Sequence, residues 1–168
     1  MARLSTASKP RGIFLPLTGM LATGLLLTAC GGGGYEGYKY KPYSVRGQTY
    51  YPLDPRDAVG YIEEGVASHY DESFLYFFPG KTAIGEKQYP WTKSAAHKTL
   101  PLPCKIRVTN LRNGRKKVLR VNDRGPFIEG RTLDVTSAAA KDLGFHKAGL
   151  TPVRIEVLSV GDGRWRLR

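Results

Sequence analysis

The sequence predicts a small, mainly β domain closed into a barrel. Three observations carry this: runs that alternate apolar and polar residues with the period of a half-buried strand, one segment with helix signals at both ends, and no strand–helix–strand rhythm of the kind that builds a doubly wound sheet. The patterns lie between Glu64 and Arg168, about 105 residues, which can bury one core and make one domain.

The first element, GVASHY (Gly65 to Tyr70), reads as a short strand. Residues 71–94 mix aromatics with Pro and Gly and read as a long loop. Its aromatic content argues against disorder and makes it a candidate wall of a binding groove. CKIRVTN (Cys104 to Asn110) sets Ile106 and Val108 against Lys105, Arg107 and Thr109. Asn113-Gly114 suits a turn with positive φ, and RKKVLRVN (Arg115 to Asn122) returns as the second arm of a hairpin. RTLDV is a further short strand. TSAAAKDLG is a short helix, with Thr136 as N-cap and Gly144 as the residue that ends it. PVRIEVL (Pro152 to Leu158) alternates again, and RWRLR is a candidate last strand.

The N-terminal third has a different character. Arg3, Lys9 and Arg11 precede the apolar stretch from Ile13 to Ala29, which is short for a membrane span of about 20 residues and is broken by Pro16 and Gly19. Residues 1–29 are therefore expected to be a secretory signal. The stretch ends in LTAC (Leu27 to Cys30), which resembles the lipobox of bacterial lipoproteins. That resemblance implies cleavage before Cys30 and a lipid anchor on its sulfur. Cys104 then has no partner in the chain, and it is read as a small core residue, not a nucleophile. Residues 30–63 are rich in Gly, Tyr and Pro and read as a tether and extended arm. Its tyrosines fit two roles: stacking on sugar rings, or lying along the domain with half of each ring buried. Residues 64–160 are expected to form the folded domain, with 161–168 as a tail.

Lys and Arg number 26 against 14 Asp and Glu, a net charge of +12, and only three of those cations lie in the signal. Such a balance draws a protein to polyanions. Outside the cytoplasm these are anionic lipid and the carboxylate-bearing wall. No nucleic-acid-binding motif is present, so nucleic acid is not expected as a partner. Neither HExxH, CxxC nor GxSxG occurs, so no metal site and no serine nucleophile is expected.

Carboxylates remain. Cleavage of a glycosidic bond needs an acid whose pKa is lifted by a partly desolvated setting. Glu86, Asp123 and Asp134 are the candidates. Asp123, in VNDRGPF, stands where the chain leaves a strand; it either turns the chain or moves a proton, and the pattern fits both. Glu86 reads equally as a solvated charge, and His97 as a satisfied, partly buried histidine. Asp134, between Leu133 and Val135, is expected to answer an arginine across the sheet.

GVASHY, GKTAIGE, SAAHKTLPLPCKIRVTNLRNGR, VLRVNDRGPF, GRTLDVTSAAAKDLGF and VRIEVL occur in this order. Together they resemble the rare lipoprotein A family of septal lytic transglycosylases. The resemblance spans nearly all of Gly65 to Leu158. It implies a six-stranded double-psi β-barrel, as in expansins and barwin-like domains, with one or two short helices. It also implies non-hydrolytic cleavage of the β-1,4 bond between N-acetylmuramic acid and N-acetylglucosamine in peptide-stripped strands, leaving 1,6-anhydro ends. The family's catalytic positions fall on Asp123, Glu86 and His97; Tyr70, Asn122 and Arg124 are candidate substrate-binding residues. No metal or organic cofactor is required.

The chain departs from the family pattern at His69, where a Trp is usual, and at Ile84, where a polar residue is usual. Many members carry a glycan-binding SPOR domain at the C-terminus, and residues 161–168 are expected to form none. The implied setting is a monomer anchored by lipid to the periplasmic face of the cell envelope, the outer membrane before the inner, with peptidoglycan strands and envelope or division proteins as partners. A reading from another class is a non-catalytic, expansin-like wall-binding lipoprotein.

Overall fold

The computed structural model describes residues 39–70, 80–89 and 91–161, together with the backbone of 165–166. The signal segment, Cys30 and the aromatic part of the long loop (71–79) lie outside the described residues.

The described chain begins with a bridge from Lys39 to Leu102. A two-stranded hairpin follows, β1 (Tyr43–Val45) and β2 (Gln48–Tyr50), and then one turn of helix, α1 (Pro55–Ala58). The barrel strands are β3 (Ile62–His69), β4 (Ser94–His97), β5 (Cys104–Asn110), β6 (Lys116–Asp123), β7 (Leu133–Val135) and β8 (Leu150–Val160). Helix α2 (Ser137–Leu143) lies between β7 and β8, and β9 (Trp165–Arg166) adds to β8. The order β3-β7-β4-β6-β5-β8 closes because β3 also pairs with β8, giving a ring of six strands. Two of its pairings, β3–β7 and β4–β6, are parallel; the others are antiparallel.

Alternation explains the closure. In β5 Ile106 and Val108 point inward, in β6 Leu119 and Val121, and in β8 Val153, Ile155 and Val157, all fully or almost fully buried. Each such side chain contributes about 1.5–3 kcal/mol by leaving water. Helix α2 begins where the sequence reading placed it: the Thr136 hydroxyl accepts from Ala139 N–H, and Gly144 ends the helix at φ +75°. Its last carbonyl, that of Leu143, accepts from the side chains of Asn110 and Asn113.

Two features differ from the sequence reading. Ser94–His97 is a barrel strand whose four residues are all buried, so it carries no alternation to read. The arm is also more ordered than a tether, since Ala58 is buried in the core and Leu53, Val59 and Tyr61 pack against it.

Candidate active site

The site forms at the end of β6. Register between β4 and β6 runs Ser94 to Arg120 and Ala95 to Val121, then Ala96 to Asp123, so β6 carries one extra residue there. An insertion of this kind re-aims side chains. Asn122 and Asp123 both reach the loop of residues 80–89, where strict alternation would send them to opposite faces.

The Asp123 Oδ1 accepts from the backbone N–H of Ala83 (2.9 Å) and of Arg124 (2.8 Å). Among the described residues nothing donates to Oδ2. Burial raises the pKa of Asp123 above the ordinary aspartate value, and it outweighs the opposing hydrogen bonds from Arg124 and Ala83 and the Arg124 charge. The group thus keeps its proton further up the pH scale than a solvated aspartate, as a general acid requires.

Glu86 sits in the opposite electrostatic setting. Burial is the largest single influence and raises its pKa, yet the hydrogen bonds of Arg120 and Asn122 and the Arg120 charge together bring it below the ordinary value. Arg120 grips both carboxylate oxygens, with Nη2 to Oε1 at 2.6 Å, and Asn122 Nδ2 donates to Oε2 at 2.8 Å. A tight turn delivers Glu86. Gly85 adopts φ +80°, Gly85 N–H donates to the Thr82 carbonyl, and Glu86 N–H donates to the Thr82 hydroxyl. Ile84 is buried in the core and pins this turn from below.

His97 is 2% exposed. Its Nδ1 accepts from the backbone N–H groups of Thr99 and Leu100, which leaves Nε2 as the N–H that donates to Glu63 at 3.2 Å. Both ring nitrogens are therefore engaged within the protein. The turn that His97 holds presents three carbonyls to Arg124 Nη1: His97, Lys98 and Leu100, at 3.3, 3.2 and 2.5 Å. Arg124 Nη2 donates to the Lys39 carbonyl, and the guanidinium lies 5.0 Å from the Tyr43 ring centre. Arg124 thus spends its donors on backbone, directly beside Asp123.

The structure brings Asp123, Glu86, Asn122 and Arg124 together at one end of β6, with His97 on the adjoining strand. Tyr70 directly follows β3, which lies three strands from β6 around the ring. Its N–H donates to the Val135 carbonyl and its own carbonyl accepts from Ser137. Asp134, expected to answer an arginine, instead accepts from the Ser68 hydroxyl, its register partner on β3, because no arginine stands opposite it there. Asp134 and Asp123 both pair with Ala96, from opposite sides of β4. Cys104 is fully buried, and burial pushes its thiol up to about 12. Sequence reasoning did not single out Arg120 or Glu63; for Arg120 the signal was its parity with Asn122 along one strand. At position 69, His69 stacks on His146 at 4.7 Å. Among the described residues no group of three His, Cys, Asp or Glu is placed to hold a metal ion.

The family described as "Lytic transglycolase" matches residues 62–155, nearly the whole of this barrel, and the chain belongs to that family. Among curated proteins, the endolytic peptidoglycan transglycosylase RlpA of Haemophilus influenzae is 47% identical over 120 residues, 71% of this chain and 41% of that protein. The RlpA of Pseudomonas aeruginosa (strain UCBPP-PA14) is 48% identical over 118 residues, 70% of this chain and 33% of that protein. The chain thus spans well under half the length of these relatives. Among solved structures, Streptomyces papain inhibitor aligns at 18% identity and a TM-score of 0.46, over 59% of this chain and 96% of that one.

Proposed function

We propose that the barrel is an endolytic peptidoglycan transglycosylase that cleaves the β-1,4 bond between N-acetylmuramic acid and N-acetylglucosamine. The observation that carries this reading is the pair of carboxyls set to opposite tasks: Asp123 biased by burial to keep its proton, Glu86 held ionised by Arg120 and Asn122. The names of the relatives support the substrate.

In the proposed reaction Asp123 gives its proton to the glycosidic oxygen as the C1–O bond breaks. The C6 hydroxyl of the same muramic residue then attacks C1, and its proton passes to the Asp123 carboxylate. Atoms balance without water, the acid is restored, and a 1,6-anhydro end is left. One group serves both steps because they follow in sequence. Glu86 offsets positive charge at the ring. His97 acts through Arg124, by shaping the carbonyl cage that fixes the residue beside Asp123.

The finer setting belongs to the same proposal. Cys30 would carry the lipid, the protein would face the periplasm from the outer membrane, and peptide-stripped strands would be its substrate, near envelope or division proteins. Digestion of denuded strands, with products weighed by mass spectrometry, tests the chemistry: 1,6-anhydromuramic ends are expected. Ordinary reducing ends would make the protein a hydrolase, and intact strands would favour the wall-binding reading. Labelling with a fatty-acid analogue, comparing Cys30 with Cys30→Ala, tests the anchor.

A further inference from the structure

We infer that the cavity between the β1–β2 hairpin and the loop after Asp123 is a second sugar-binding subsite, which takes an N-acetylated hexosamine of a glycan strand at a distance from the scissile bond. This rests on the glycan reading above. The cavity is about 480 Å³, within the range of small-ligand sites, and is lined by Gln48, Tyr50, Lys98, Phe127, Ile128 and Glu129. The hairpin lies before residue 62, where the family match begins, so Gln48 and Tyr50 of this wall come from outside the matched segment.

The chemistry of the wall is that of a sugar site. A pyranose ring shows apolar C–H faces and a rim of hydroxyls that need donors and acceptors together. Phe127, Ile128 and Tyr50 supply apolar surface, Glu129 an acceptor, and Lys98 a donor. The Tyr50 hydroxyl donates to Gln48 Oε1 at 3.1 Å, which orients the Gln48 amide and leaves its NH₂ for a ligand. Lys98 Nζ is held on the Arg131 carbonyl at 2.6 Å with two N–H groups remaining. One cation and one anion line the cavity, which suits a neutral, hydroxyl-rich ligand better than a polyanion.

The wall is also built before any ligand arrives. Tyr43 stacks on Tyr50 at 5.4 Å, donates to the Lys98 carbonyl at 2.8 Å, and lies under Arg124. Tyr50 meets Phe127 at 5.5 Å. Arg124, the residue beside Asp123, therefore ties the hairpin to the acid, and subsite and acid share one frame. Phe127 is four residues past Asp123, at most about 14 Å of chain, within the length of a short oligosaccharide.

The test separates this inference from the reading beneath it. Full-length Asp123→Asn protein is titrated calorimetrically with a peptide-free disaccharide and octasaccharide of the wall glycan. Gln48→Ala and Ile128→Ala are then added singly; both sites are exposed, and matched melting temperatures check the fold. Each is expected to weaken octasaccharide binding about fivefold and leave the disaccharide unchanged. Octasaccharide binding that neither change alters would overturn the subsite while the glycan reading stands. Failure of the Asp123→Asn protein to bind any of these sugars would overturn both.

Discussion

Asp123 and Glu86 respond to pH in opposite directions. The folded-state pKa of Asp123 is raised, so its ionised form costs stability once pH exceeds that value. Asp123→Asn removes that cost and keeps an acceptor for Ala83 and Arg124. The variant is expected to melt no lower than the parent at pH 7, with the gap closing as pH falls, while turnover drops by about 10²–10⁴. Thermal melts across pH and product assays check the two halves. Glu86 has a lowered folded pKa, so its contribution is complete above the unfolded value and is lost as pH falls through the folded one. Glu86→Gln is expected to cost about 1.5–3 kcal/mol at neutral pH and progressively less in acid, read by denaturant titration at several pH values. His97 teaches a different lesson. Its motif marked it as important, but only the structure shows both ring nitrogens spent on Glu63 and on the turn that cages Arg124.

At the scale of elements, the turn from Thr82 to Glu86 and the extra residue in β6 together make the site. Gly85→Ala puts a Cβ at φ +80°, which costs roughly 1–2 kcal/mol, with open space around it and no clash. Its stability loss should be modest and its activity loss larger, because the strain falls on the residue before Glu86; comparing melting temperature with kcat/KM separates the two. Ile84→Asn would bury an amide without a partner in place of an apolar anchor and should lower both together. Much of this level was legible in the sequence. The strands β5, β6 and β8 alternate, and α2 carries its own cap residues, so local chemistry marks them. Strand β4 was not legible, since SAAH is buried on both faces and shows no period. The inserted residue in β6 was not legible either, because it exists only in register with β4. That is why the pattern alone left Asp123 undecided between turn and acid, and only the family resemblance pointed to the acid.

At the largest scale, the six described barrel strands close into a ring. Each of the six barrel strands pairs with a neighbour on both sides over at least part of its length, which limits the edge left open to another chain. With 26 basic against 14 acidic residues, binding to an acidic wall should weaken steeply with salt, and sedimentation with purified sacculi between 50 and 500 mM salt, on the order of a threefold change in Debye length, would register it. The fold also sets a leash. The Lys39–Leu102 bridge is where the described chain first joins the barrel, so under the proposed lipidation of Cys30 the chain between anchor and barrel is residues 31–38. Even fully extended, that is about 30 Å. Under that proposal the barrel would reach only the glycan layer nearest the anchoring membrane, and lengthening the glycine run should widen the zone of wall it can reach.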